Sequence, residues 1–169
     1  MAFISISGDM DPIQSALNAI AAIGARPQAV LESIGNELHD RTVQRMDQGV
    51  DPDGIRWESY AALNPLYEQD KKTDHILIES GALRADIHSE VEGNALLVGT
   101  NLIYGAIHQF GGLIQPKGAL QLSFVMGGEL FHVDNVHIPA RPYLGLGVGD
   151  EAAIIDRLDE FLSLAMGER

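Results

Sequence analysis

Metal binding is the first chemistry that six histidines and twenty-four acids invite. His132 and His137 stand five apart, and an odd separation along one strand puts them on opposite faces. His108 follows Tyr104 by one helical turn, near a helix's negative end, so packing on Tyr104 or bonding to nearby carbonyls is expected of it. Asp51-Pro52-Asp53-Gly54 has the glycine of a calcium loop, but the leading acid is replaced by Gly49 and the closing glutamate by Tyr60. A proline-initiated turn fits those residues better. Gly145-Leu146-Gly147-Val148-Gly149 begins like a dinucleotide fingerprint, yet Asp150 occupies the third glycine position and would face the pyrophosphate. Only Glu151 to Arg169 follow, too short a stretch for the βαβ unit that fingerprint needs. A flexible connector to a last helix is expected instead. Ser80 precedes Gly81, but a nucleophile elbow requires glycine where Ile78 stands. Asp159 and Glu160 fall on the solvated face of an amphipathic helix. The expectation is therefore no catalytic residue, no cofactor and no metal ion.

Two other stretches look built to fix backbone shape. In Pro139-Ala140-Arg141-Pro142 the prolines lock φ, and Ile138 and Arg141 are each pushed toward extended backbone by the proline that follows. The result is a stiff rod presenting Arg141 at a defined place. In a chain this acidic, a fixed guanidinium is expected to clamp a carboxylate, either internally or across a subunit interface. The region between Tyr104-Gly112 and Ile138-Gly145 reads as one long β-hairpin. Within it, Leu120, Leu122 and Phe124 alternate with polar residues and Gly127-Gly128 allows a tight turn into Glu129 to Val133. Two strands alone are marginal in water, so the hairpin Ala119 to Val133 is expected to join a sheet or reach a neighbouring subunit.

The surrounding elements follow from periodicity. Ala2 to Ser7 alternates as a short strand. Asp11 and Pro12 open a helix with Gln14 in a capping box, Ile13, Leu17 and Ile20 stripe it, and Gly24 ends it. A longer helix starts near Pro27, with Leu31, Ile34, Leu38, Thr42 and Met46 on one face, Glu37 and Arg41 paired on its edge, and Gln48-Gly49 at its end. Tyr60 to Lys72 is partly helical around Pro65. Asp86 to Val91 and Ala95 to Gly99 flank a turn at Glu92-Gly93-Asn94. Ile103, Ile107 and Phe110 mark a short helix stopped by Gly111-Gly112. Ile154, Leu158, Phe161 and Leu162 stripe a C-terminal helix capped by Asp150, with Glu151 in its first turn. The expected class is α+β: helices packed on one face of an antiparallel sheet, with a long protruding β-hairpin. At 169 residues one domain is expected, with N-terminal helices over 1–50 and the sheet, hairpin and last helix over 51–169.

Composition excludes several functions. Eleven bases against twenty-four acids give a formal charge of −13, and only Lys71 and Lys72 form a basic pair, so the stripe that grips phosphates is missing. Cysteine is absent, which rules out disulfides and thiolate zinc sites. The longest apolar run, Ala16 to Ala25, falls well short of the ~20 residues that span a bilayer. A protein of the bacterial cytoplasm, or of a particle assembled there, is expected, with no membrane partner.

Four pieces, taken in order, resemble the virion morphogenesis family of Mu-like and other tailed phages. They are Asp51-Pro52-Asp53-Gly54 leading to Trp57, then Ser80-Gly81-Ala82-Leu83, then Tyr104 to Gly112, then Ile138 to Gly145. Residue by residue the pattern falls on Asp51, Pro52, Gly54, Trp57, Ser80, Gly81, Leu83, Val98-Gly99-Thr100 and Tyr104. It continues through His108-Gln109-Phe110-Gly111, Pro139-Ala140-Arg141-Pro142 and Leu144-Gly145. Met46 departs from it, standing where an aromatic follows the arginine. The resemblance runs from about Thr42 to the C-terminus. It implies a structural virion protein without enzymatic activity, acting in tail completion or head–tail joining at the neck. Its expected partners are further copies of itself in a ring, with sixfold symmetry one option, and other neck, connector or tail proteins. Genomic DNA is expected to pass through without being bound, along a net acidic inner wall. The family residues most open to an interface role are Trp57, Gly81, Leu83, Tyr104, His108, Gln109, Phe110, Gly111, Pro139, Arg141, Pro142 and Leu144. A binding module acting on a host protein and an unrecognised hydrolase stand as alternatives.

Overall fold

The computed structural model describes residues 11–166. The strand expected over Ala2 to Ser7 lies outside them, as does the capping side chain of Asp11. Helix α1 (Asp11–Ala25) leads into α2 (Gln28–Gln48), the spine of the molecule. The apolar stripe of α2 buries Ile34, Leu38, Thr42 and Met46 as expected, but Val30 in place of Leu31, which is only half-buried. Its end is a Schellman cap: Gly49 adopts φ 70° and donates to Met46 O, while Val50 N donates to Arg45 O. One end of the spine, with Val30, Ile34 and Leu38, packs on Ile23, Leu96, Ile154 and Phe161. The other end places Met46 in the main core with Trp57, Ile76, Leu83, Ile87 and Tyr143. Leu17 and Ile20 of the expected α1 stripe are exposed, and it is Ile23 that reaches the core.

After a short 3-10 turn (Trp57–Ser59) come α3 (Pro65–Asp70) and α4 (Ala82–Ala85). Strands β1 (His88–Glu92) and β2 (Ala95–Gly99) form a hairpin laid on α2 at Gly35, where a Cβ would sit 2.8 Å from the side chains of Ser89 and Leu96. Then follow α5 (Gly105–Phe110), β3 (Gly112–Ile114), β4 (Leu122–Met126), β5 (Glu129–Val133), β6 (Val136–Ile138) and α6 (Asp150–Met166). The class is α+β. The strands, however, form three separate two-stranded antiparallel sheets among the described residues, β1–β2, β3–β6 and β4–β5, instead of one continuous sheet. Tight turns close β1–β2 and β4–β5 locally, whereas β3 and β6 are joined through residues 115–135, which carry the β4–β5 ribbon.

The long hairpin is correspondingly two ladders. Gly112 pairs with Ile138 and Ile114 with Val136; further out Leu122 pairs with Val133 and Met126 with Glu129. Residues 115–121 on one side face only Asp134–Asn135 on the other, so no single register spans both ladders. Pro116 lies in the longer side and has no N–H to offer a ladder. Strand β4 therefore starts at Leu122, and Leu120 is exposed. Nor does the tip project freely. Gly127 N donates to the Asp70 carboxylate at 2.5 Å, and Leu66 of α3 packs against the turn. Phe124 stacks on Phe131 with ring centroids 5.8 Å apart, on the face opposite the exposed Val125 and Leu130.

Candidate functional site

The segment Pro139 to Pro142 carries no regular element, and α5 is fastened to it and to the residues after it by hydrogen bonds. Arg141 N donates to His108 O at 2.8 Å. Gln109 acts as a surrogate strand: its Oε1 accepts from Tyr143 N and Leu144 N at 3.0 and 2.9 Å, and its Nε2 donates to Leu144 O at 2.9 Å. Gly111 closes the joint at φ 68°, ψ −178°, and a Cβ there would lie 2.7 Å from Ala140 N. From the opposite side the fully buried Trp57 donates through its indole N–H to Pro142 O at 2.7 Å. Gly81 takes φ 78° to start α4, whose Leu83 fills the same core as Tyr143. Trp57, Leu83, His108, Gln109, Gly111, Arg141, Pro142 and Leu144 thus converge on one segment. Phe110 does not: it is 77% exposed, as Ile103 is at 96%.

Arg141 is buried, but it clamps no carboxylate. Its Nη2 donates to Ala61 O at 2.8 Å, its Nε has no acceptor, and among the described residues it forms no ion pair. The internal carboxylate clamp is therefore corrected to a bond with a backbone carbonyl, because the loop after Trp57 brings a C=O, not an acid, to Arg141. His108 sits beside it, with its ring edge-to-face on Tyr104 at 6.0 Å and Nδ1 unpartnered. Burial, and then the neighbouring Arg141 charge, hold the imidazole below its ordinary pKa, so it is neutral at pH 7. Arg141, His108, Tyr104 and Pro139 all line a cavity of about 690 Å³ between α3, α4 and the β4 and β6 strands. Among the described residues no cluster of His, Asp and Glu is arranged to hold a metal.

The family profile of phage virion morphogenesis matches residues 8–163. The chain belongs to that family. It is 29% identical over 152 residues to the Mu-like prophage FluMu G protein 2 of Haemophilus influenzae, covering 90% of each chain. It is 28% identical over 168 residues to the putative capsid assembly protein G of Escherichia phage Mu, covering 96% of each. No solved structure matches at a significant level. As a member of the phage virion morphogenesis family, the chain is a structural or assembly protein of a phage particle. No helix among the described residues is long and apolar enough to cross a membrane.

A charge knot that no motif in the sequence announced adjoins Gly145, whose carbonyl accepts from Arg45 at 3.2 Å. Asp150 was expected as a helix cap. Instead its carboxylate is fully buried, accepts from Gly147 N at 2.8 Å, and pairs with Arg41 at 2.5 Å and Arg45 at 2.7 Å. Burial pushes this carboxyl upward, but the Gly147 N–H and the two guanidiniums pull it below its ordinary value. The expected Glu37–Arg41 pair is loose at 3.9 Å, since Arg41 turns to Asp150 and Glu37 to Arg157 at 2.8 Å. Arg41 and Arg45 stand four apart on one face of α2, the one sequence signal that could have pointed to the knot. The segment Gly145 to Gly149 is not a flexible connector: Gly147 packs so closely on the Pro52 carbonyl that no side chain fits, and Val148 N donates to that carbonyl. The Asp51 turn that presents Pro52 is held by Ile55 N and the Tyr60 hydroxyl, both donating to the Asp51 carboxylate.

Proposed function

We propose that this chain completes the tail or joins head to tail at the neck of a tailed phage, as a ring of identical subunits contacting other neck, connector or tail proteins. The observation that supports this best is where the signature side chains go. Gln109, Gly111, Trp57 and Pro142 are engaged in holding the 139–145 segment to α5 and the core. A family pattern made of such fasteners describes a rigid part rather than a reaction centre. Large apolar side chains stay uncovered beside that joint: Phe110 ends α5 and Ile103 precedes it, and Leu146 and Val148 lie on the connector at 68% and 81% exposure. Surfaces of this kind suit contacts between subunits. The role is non-enzymatic and uses no metal or nucleotide; stoichiometric zinc or calcium in the purified protein would overturn that part.

Deleting the gene from its phage and imaging the particles by electron microscopy tests the reading. Filled heads beside separate, unjoined tails are the expected result. The phage Mu relative is named a putative capsid assembly protein, and missing or malformed heads would favour that second reading. Normal particles would sink both.

A further inference from the structure

Arg141 is 6% exposed, and among the described residues only one of its donors is engaged, on the Ala61 carbonyl. A buried guanidinium with an idle Nε–H and no counter-charge is strongly unfavourable unless something else neutralises it. The other buried cation of the same cavity shows the contrast. Lys71 Nζ donates to Thr73 Oγ1, His75 O and Ile78 O at 2.7, 2.6 and 2.8 Å, with Glu79 at 3.5 Å, so its capacity is used within the chain. Apolar Ile76, Phe124, Met126 and Ile138 share the lining with Arg141, and its one acid, Glu79, lies by Lys71. Consecutive residues Val136, His137 and Ile138 also line the cavity, and among the described residues they form a strand paired on one side only, with β3. An unpaired strand edge is a template for a further extended chain.

We propose that this cavity receives an extended segment of a neighbouring virion subunit, carrying a carboxylate that pairs with Arg141 and apolar side chains that meet Phe124 and Met126. The inference rests on the assembly role above. A protein segment is favoured because a strand edge and apolar side chains stand together with a cation that forms no ion pair among the described residues. His108, kept neutral beside Arg141, adds no competing charge. Arg141 then holds the rod in place while empty and becomes the anchor when the neighbour docks.

The test uses the purified full chain with 4-phenylbutyrate as probe and 4-phenylbutyramide as its uncharged twin, followed through the His108 ring resonance by NMR. The acid is expected to shift that resonance saturably and to bind about tenfold or more tightly than the amide, as a charge-assisted bond requires. Arg141→Met should abolish the difference, and Arg141→Lys should keep part of it. Equal binding of acid and amide, or no binding of either, overturns the proposal, and this wild-type comparison stands even where Arg141→Met fails to fold. Supplying the variants to a phage lacking the gene separates the sources. If folded Arg141→Met restores joined particles fully, the cavity takes no neighbour's segment, whatever the probe does. Failure of the assembly role itself shows differently, as normal particles without the gene.

Discussion

Asp150 and Gly111 show how much a single position carries here. The Asp150 carboxylate holds one N–H and two arginines with no exposure to water, while Arg41 and Arg45 keep 31% and 12% of their side chains in solvent. Breaking a buried pair typically costs ~3–5 kcal/mol, and the partly wet arginines place Asp150→Asn near the low end, at about 3 kcal/mol in chemical denaturation. The pH dependence follows from the lowered carboxyl. Its stabilisation is complete above the unfolded pKa of about 3.9 and is lost as pH falls through the lower folded value. Acid unfolding should therefore steepen below about pH 4 in the wild type and lose that component in Asp150→Asn. His108 acts in the same direction in a higher window. With its folded pKa depressed, its stabilisation is complete above about pH 6.5 and declines as pH falls toward the folded value; His108→Gln should flatten stability across that interval. Gly111→Ala puts a Cβ against Ala140 N at a positive φ. Its backbone strain alone is worth about 1–3 kcal/mol, read as a fall in Tm with the rod loosened from α5.

At the scale of elements, the β4–β5 ribbon depends on what it leans against. A two-stranded ribbon is marginal by itself, and this one is secured by the Gly127–Asp70 bond, Leu66 under the turn and the Phe124–Phe131 stack. Asp70→Ala should therefore release the tip, raising amide exchange over residues 122–133 while the protection of α2 is unchanged. Equal loss of protection in both elements would show that the ribbon unfolds only with the whole molecule. Helix α5 behaves differently, because the Gln109 amide supplies three bonds that join it to the 139–145 segment. Gln109→Leu leaves the N–H groups of Tyr143 and Leu144 without acceptors, costing about 1–3 kcal/mol each where they stay buried. That loss should appear as cooperative destabilisation, since Tyr143 is part of the main core.

For the whole molecule, the formal charge of −13 becomes a statement about assembly. A ring multiplies each subunit's charge around its bore, and an acidic bore denies DNA the counterion-releasing contacts that would hold it. Screening over ~8 Å at physiological salt confines the effect to residues near the bore. The expected outcome is a homo-oligomer with a net acidic inner wall and no DNA binding at physiological salt. A structure of the assembled neck checks it, and a bore lined mainly by Arg and Lys, or a subunit wholly outside the DNA path, refutes it.

Periodicity and turn chemistry act over a few residues, and what they govern was readable from the chain alone. Most of the α2 stripe with its Gly49 stop, the turns at Gly93-Asn94 and Gly127-Gly128 and the Tyr104–His108 contact follow from local rules of that kind. The family pattern added the virion role through the order of its pieces. Tertiary structure decided whatever depends on partners distant in sequence. Nothing near Asp150 announces that it would be buried under Arg41 and Arg45 instead of capping a helix, and Arg141 met the Ala61 carbonyl in place of an acid. The hairpin split into two ladders because residues 115–121 outnumber their opposing stretch, a mismatch visible only once both ends are paired. Ile103 and Phe110, which marked the short helix in the sequence, are exposed, while the Arg141 and Gln109 bonds join α5 to the 139–145 segment. Short-range chemistry fixes which elements form; burial, a property of the assembled chain, fixes which of their polar and apolar groups are satisfied.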